Sequence, residues 1–222
     1  LILLVPSMRI VSAVQDGING FPVTSAGRLV SSMLTYVGVV AGIALGIVAV
    51  SMLGAPAIDI TDMDTVEYNH WVLATVVAVA AMGMSIASQT RLRLIIPTGF
   101  VSVVGYLFYA GAIDIGLGPS IAPAAAAVAV GFFARIVALS LRAPQLVVAV
   151  PASLFLLPGL MIFRAMYQIG SNVDMMSGGV VELLQASVII LATATGLVLG
   201  DSLARPLTSG LKSNERRRSG QR

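Results

Sequence analysis

Six apolar stretches, each about as long as a membrane-spanning helix, occupy most of this chain and restrict it to a lipid-embedded fold. A hydrocarbon core of about 30 Å needs roughly 20 apolar residues at about 1.5 Å of rise per residue. The composition agrees, because 57% of the residues are hydrophobic and only 10% are charged. The stretches lie near 29–53, 71–88, 94–112, 119–139, 145–166 and 178–203. The sequence therefore predicts an all-α, polytopic membrane helix bundle.

The basic residues occupy alternate turns and predict the orientation of the chain. Eleven of the 13 follow this pattern: Arg28, Arg91, Arg93, Arg135 and Arg142, then six in a tail between Arg205 and Arg222. Because positively charged turns stay in the cytoplasm, we expect a multi-pass protein of the cell membrane with a cytoplasmic C-terminus. We interpret the tail as disordered and solvated, able to bind anionic lipid headgroups and not nucleic acid.

The segment 55–70 is the best candidate boundary between domains. It contains Pro56 and an acidic run of Asp59, Asp62 and Asp64, and no apolar period passes through it. We predict the end of a first domain at 1–54, an external acidic linker at 55–70, a second domain of five helices at 71–205 and a basic cytoplasmic tail at 206–222. The opening Leu1–Pro6 lacks the pattern of a signal peptide, and we interpret the chain as the C-terminal portion of a longer protein.

Residues that could carry catalysis or bind a metal are scarce. The chain has no cysteine and a single histidine, His70, which argues against a thiolate or histidine-cluster metal site. The aspartates of the linker lack the remaining ligands of a calcium loop, so a solvated linker is favoured over a calcium site. Phosphate-binding loops, nucleophile elbows and paired catalytic carboxylates are also missing. We predict a protein that is not an enzyme, with no catalytic residue, metal or cofactor.

An internal repeat indicates two related halves. An offset of 152 positions aligns residues 4–46 with 156–198 and matches Pro6 with Pro158, as well as Ser25 and Gly27 with Ser177 and Gly179. With five helices per repeat, an odd number, the two repeats would lie in opposite orientations, the first being truncated in this chain. Inverted-topology repeats are typical of secondary transporters, in which one repeat rocks against the other.

Prolines predict where the helices of each half are interrupted. Pro151, Pro158 and Gly159 fall within one apolar stretch and must kink or break its helix, and Pro6-Ser7 repeats the feature in the other half. Such a break can expose backbone groups to a polar cavity that binds substrate, or can be a packing kink without a ligand.

Ionisable residues near the helix ends have two interpretations each. Glu182 could form a structural ion pair with Arg164 or serve as a protonatable carboxylate. Asp16 could cap a turn or serve as the protonatable carboxylate. Asp201 is interpreted as interfacial. Three stripes of small residues predict close helix packing, with a substrate passage as the alternative: Gly38, Gly42 and Gly46, then Gly196 and Gly200, then Ala122 to Ala129.

Two groups of residues resemble a known family. The segments Leu4-Val5-Pro6, Ala13 to Gly17 and Ser25 to Leu29 are similar to the end of the N-terminal domain of threonine/serine exporters. Val150-Pro151-Ala152, Leu157 to Leu160 and Arg164 to Tyr167 resemble the second domain of the same family. The resemblance spans nearly all of 1–205 and implies a ten-helix, two-domain carrier that exports threonine and serine using the membrane potential or the proton gradient.

Our leading hypothesis is therefore proton-coupled export of small amino acids by alternating access. The substrate would be bound by Pro6, Ser7, Pro151, Ser153, Pro158 and Gly159, through hydroxyls and exposed backbone groups, and Asp16 or Glu182 would take up the proton. The partners are then the amino acid, protons and the lipid bilayer, and homo-oligomer formation is left open. The alternatives are a dicarboxylate exporter and a membrane scaffold subunit that transports nothing.

Overall fold

The structure, a computed structural model, describes residues 7–18, 20–53, 68–118, 120–171 and 176–219. These residues form eight α-helices and one short 3-10 turn, and no strand occurs among them. The helices are α1 (Ser7–Ile18), α2 (Pro22–Met52), α3 (His70–Ala87), α4 (Leu92–Asp114), α5 (Ala122–Ser140), α6 (Gln145–Ala152), α7 (Gly159–Ser171) and α8 (Met176–Ser219), with the 3-10 turn at Leu154–Leu156. The all-α prediction is confirmed for the described residues, and each of the six apolar stretches lies mostly in helices.

Residues in the left-handed backbone conformation follow several of the helices. Gln89 follows α3 with φ 53° and Arg142 follows α5 with φ 53°. After α3, the amide of Thr90 donates to the carbonyl of Ser85 at 3.0 Å, which closes a Schellman motif. Such motifs satisfy helix-end carbonyls that a bilayer cannot hydrate. The chain can therefore reverse direction in short turns.

The first compact unit contains residues 1–68 and 157–191. In it α1 packs against α2, and α2 packs against α7. The first part of α8 packs on α7 through an apolar cluster of Ile162, Met166, Ala186 and Ile190. The helix boundaries agree with the 152-residue offset, which carries Ser7, the first residue of α1, onto Gly159, the first residue of α7. The opposite orientation of the two repeats stays a prediction.

The second compact unit contains residues 69–156 and 192–222. Here α3, α4, α5 and α6 pack against one another. The later part of α8 lies against α5 at three glycines, Gly131, Gly196 and Gly200, where an added Cβ would approach backbone oxygen of the other helix within 2.1–2.5 Å. The packing role predicted for Gly196 and Gly200 is confirmed, and most of the alanines between 122 and 129 are buried.

Two sequence predictions about packing and order are wrong for the described residues. An added Cβ at Gly38, Gly42 or Gly46 would find nothing within 4 Å, so the glycine stripe of α2 does not pack against the described chain. The basic tail is not disordered throughout, because α8 continues through Pro206 to Ser219. A proline removes one backbone donor but does not end a helix whose remaining hydrogen bonds persist.

Candidate functional site

The apolar stretch 145–166 is interrupted, as its prolines predict. Helix α6 ends at Ala152, the 3-10 turn follows at Leu154–Leu156, and α7 starts at Gly159. Pro158 accepts the first amide of the new helix, from Ile162, at 3.0 Å. Pro151 and Ser153 thus lie at the end of α6 in the second unit, whereas Pro158 and Gly159 begin α7 in the first.

The carbonyls freed at the end of α6 already have donors from the protein. The hydroxyl of Ser153, which is 5% exposed, donates to the carbonyl of Val150 at 3.0 Å. The hydroxyl of Ser102, on α4, donates to the carbonyl of Ala152 at 3.0 Å. Ser153 therefore caps its own helix, and a role for it in substrate binding stays a prediction. The sequence analysis did not single out Ser102, whose partner is 50 residues away.

Replacing Ser102 with alanine should destabilise the broken helix. The change leaves the carbonyl of Ala152 buried without a hydroxyl donor, which we expect to cost about 1–3 kcal/mol. The matched control is Ser85→Ala, because Ser85 is equally buried but its hydroxyl donates to the carbonyl of Ala81, four residues earlier in the same helix. A larger drop in thermal unfolding midpoint for Ser102→Ala is the expected result. Equal midpoints for the two variants would contradict the capping role.

Aromatic side chains of the second unit lie beside the same break. Phe155, in the 3-10 turn, meets Tyr106 and Tyr109 edge-on at centroid distances of 6.2 and 6.4 Å. The hydroxyl of Tyr106 lies 3.0 Å from Nδ1 of His70. The lone histidine thus belongs to a hydrogen-bonded aromatic group, and no cluster of three potential metal ligands occurs among the described residues. The turn after Ala152 is consequently held in place by packing as well as by its cap.

The first-half counterparts of the break are only partly described. Pro6 lies outside the described residues, and Ser7 is the first residue of α1, but its side chain is not described. Asp16, near the end of α1, faces Arg28 of α2 with Oδ2 and Nη1 2.8 Å apart. This separation is that of an ion pair, although the angles do not suit a hydrogen bond. Asp16 therefore already has a cationic partner.

Glu182, the other candidate for proton coupling, has a neutral partner. Its Oε2 accepts a hydrogen bond from Nε2 of Gln168 on α7 at 3.1 Å. The ion pair with Arg164 that the sequence suggested is absent from the described residues, and Nε of Arg164 is buried there without a hydrogen-bond partner. Gln168 was not among the residues predicted from the sequence, although the repeat offset places it at the position of Asp16. Asp16 and Gln168 thus occupy equivalent positions of the repeat, but their partners do not, since the offset carries Arg28 onto Val180 and not onto Glu182.

Glu182 is one of the residues that line a shallow, open cavity of about 550 Å³. The cavity lies entirely within the first unit, between α7 and the first turns of α8. Its lining combines amides, a hydroxyl, a carboxylate and apolar side chains: Met161, Gln168, Ser177, Gly178, Val181, Glu182 and Gln185. A cavity with apolar walls and a few convergent polar groups is the ordinary form of a small-molecule site.

Two glycines set the geometry of this cavity. An added Cβ at Gly179 would lie 2.6 Å from the carbonyl oxygen of Ala165, so only glycine lets α8 approach α7 this closely. An added Cβ at Gly178 would lie 3.2 Å from Oε1 of Gln168. Gly179 therefore sets the close approach of α7 and α8 that brings Gln168 and Glu182 together, whereas a Cβ at Gly178 would meet only the flexible end of Gln168.

Asp201 is a buried carboxylate, whereas Asp16 and Glu182 are only partly buried, and its interfacial position stays a prediction. It is 1% exposed, and Nη1 of Arg135 on α5 contacts its Oδ1 while Nη2 of Arg205 lies 3.3 Å from its Oδ2. A charge within a membrane helix is expensive unless it is paired, and the two arginines provide that pairing. The sequence signal was available, since Arg135 lies inside an apolar helix, but its partner is 66 residues away.

The helices define a multi-pass membrane protein. Within the described residues, four helices are long and apolar enough to cross a bilayer, or up to five if the segments on either side of the α6–α7 break form one span. A sequence profile described as "Threonine/Serine exporter, ThrE" matches residues 73–203. The chain belongs to this threonine/serine exporter family, which confirms the resemblance read from its motifs.

Two relatives match nearly the whole chain. A protein of Mycobacterium tuberculosis strain H37Rv named "Probable threonine/serine exporter" is 32% identical over 216 residues, which cover 95% of this chain and 41% of that protein. The "Threonine/serine exporter" of Corynebacterium glutamicum is 31% identical over 209 residues, covering 93% and 42%. The chain thus spans about two-fifths of the length of these curated relatives. No solved structure matches the chain significantly.

Proposed function

We propose that this chain forms part of a secondary transporter that exports threonine, serine or similar small amino acids. The observation that carries the proposal is the cavity around Glu182 in a chain of the threonine/serine exporter family. The cavity offers amide, hydroxyl and carboxylate groups to a small zwitterion, and the names of both relatives support amino acids as the cargo.

Export would proceed by alternating access coupled to the proton gradient. The break between α6 and α7 supports this proposal as an interruption of the kind found in secondary transporters, with the carbonyls of Val150 and Ala152 capped by Ser153 and Ser102. Pro6, Ser7, Pro151, Ser153, Pro158 and Gly159 are the proposed residues of the pathway, and Asp16 or Glu182 takes up the proton. The proposed topology places the basic tail in the cytoplasm, so a proton entering from outside would drive an amino acid outward.

Efflux from proteoliposomes tests this function. Vesicles are prepared with the full-length protein, its cytoplasmic face toward the lumen, and loaded with labelled serine. They should release the serine faster when the outside solution is made more acidic than the lumen. Asp16→Asn and Glu182→Gln should identify the coupling carboxylate, since its amide variant should lose the response to the gradient. Release no faster than that from serine-loaded vesicles without the protein would favour a scaffold role. Faster release of succinate than of serine would favour a dicarboxylate exporter.

A further inference from the structure

We propose that the carboxylate of Glu182 binds the ammonium group of the transported amino acid and the coupling proton in alternation. The inference rests on the proposed export function and assigns the recognition step to the cavity between α7 and α8. It gives Glu182 a role that Asp16 does not share, although the sequence offered the two carboxylates as equals.

The two helix pairs α1–α2 and α7–α8 differ in charge balance. In the α1–α2 hairpin, Arg28 lies 2.8 Å from Asp16 and neutralises it. In the α7–α8 hairpin, the position equivalent to Asp16 holds Gln168, which gives Glu182 a hydrogen bond but no positive charge. A carboxylate beside an apolar cluster is stabilised by a cation or by protonation. The ammonium group of the substrate can supply the cation, and water can supply the proton.

Few charged groups of the first unit can act on Glu182. The charged side chains that the structure describes in this unit are Asp16, Arg28, Arg164 and Glu182. Arg28 forms its ion pair with Asp16. Arg164 makes no ion pair with Glu182 among the described residues and does not line the cavity. The cation that meets Glu182 in the cavity would therefore come from the ligand.

The cavity at Glu182 is accessible and has both polar and apolar walls. Glu182 is only partly buried and lines a cavity that is open to the surroundings, so a ligand can reach it. Ser177 and Gln185 offer polar contacts to a substrate hydroxyl, and Met161 and Val181 supply short apolar walls. An ammonium bound to a carboxylate forms charge-assisted hydrogen bonds, which are stronger than neutral ones. These contacts suit a small hydroxylated amino acid.

Alternation follows from the single carboxylate. When the protonated carboxyl of Glu182 accepts the ammonium, the O–H proton leaves to water and the carboxylate oxygens accept N–H donors. When the amino acid leaves, a proton from the other side of the membrane can return to the same oxygen. Because the two ligands exclude each other, one proton would be exchanged for each amino acid at this group.

Counterflow of labelled serine separates this inference from simple proton coupling. Full-length protein in vesicles with no pH gradient should exchange serine, with a half-saturation concentration that rises as the pH on both sides is lowered. Glu182→Gln removes the charge and should reduce exchange at low serine by about tenfold or more. Glu182→Asp should restore part of it. Inhibition by 3-hydroxypropionate, which lacks the ammonium group, should be weak.

The outcomes are distinguishable from failure of the export function. Asp114→Asn is the matched control, because Asp114 is an exposed carboxylate at the end of α4, outside the proposed pathway, and should exchange serine like the wild type. If Glu182→Gln exchanges serine with unchanged half-saturation, Glu182 does not bind the ammonium group and the inference is overturned while export stands. If the wild type neither exports nor exchanges serine, the proposed function itself fails. Elution of each variant as a single species in detergent confirms folding.

Discussion

Asp201→Asn is expected to destabilise the protein by about 3 kcal/mol, the lower end of the range for breaking a buried ion pair. The aspartate is 1% exposed and contacts two arginines, so its amide would remove the only negative charge in this group of described side chains. Arg135, at 16% side-chain exposure, would keep its positive charge within an apolar helix. The measurement is the thermal unfolding midpoint of the full-length protein in detergent, which we expect to fall by several degrees.

Asp16→Asn provides the comparison for this prediction. It breaks the other described aspartate–arginine pair between helices, but there the two side chains are 22% and 49% exposed, so the expected loss is smaller. The double variant Arg135→Gln with Asp201→Asn should be no less stable than Asp201→Asn alone, because the pair acts as a unit. An unchanged midpoint for Asp201→Asn, or a larger fall for Asp16→Asn, would show that the buried pair contributes little.

The helices of this chain were predictable because their signal is local. An apolar run of about 20 residues forms a helix in a bilayer almost regardless of its neighbours, since backbone groups have no other way to be satisfied. The stretch 71–88 thus corresponds to α3, His70–Ala87. The break between α6 and α7 was predictable for the same reason, because Pro151 and Pro158 act on their own helix.

The polar contacts between helices were not predictable, because they depend on side chains distant in sequence. Nothing in the sequence around Ser102 indicates that its hydroxyl reaches Ala152, and nothing near Gly200 shows that Asp201 faces Arg135. The candidate carboxylates illustrate the point for function. The sequence offered Asp16 and Glu182 alike as candidates for the proton-coupling carboxylate. Only the partner of each distinguishes them, the guanidinium of Arg28 for Asp16 and the amide of Gln168 for Glu182.

Glycine spacing likewise shows that a stripe exists but not whether a neighbour covers it. The same four-residue spacing occurs in α2, where an added Cβ meets nothing described within 4 Å, and in α8, where it meets the backbone of α5. The energetic role of each glycine therefore requires the tertiary structure. Substitution by alanine can distinguish the two situations, since its effect should differ in sign.

Gly200→Ala should be as damaging as the loss of Asp201, at about 3 kcal/mol, the upper end of the usual cost of overpacking. The new Cβ would lie 2.1 Å from the carbonyl oxygen of Val128 and 2.7 Å from the amide nitrogen of Phe132. Both are backbone atoms that no rotamer change can move, so α5 and α8 would have to separate. The separation would also pull the neighbouring Asp201 away from Arg135.

Gly83→Ala tests whether the cost comes from the collision and not from the change of residue type. Gly83 lies inside α3, in the same unit, and an added Cβ there would find nothing within 4 Å. Alanine in a helix interior is favoured over glycine by about 0.5–1 kcal/mol, so this variant should unfold at a slightly higher temperature than the wild type. The expected order of midpoints is Gly83→Ala, wild type, Gly200→Ala. A Gly200→Ala protein that unfolds with the wild type would mean that α5 and α8 do not approach this closely.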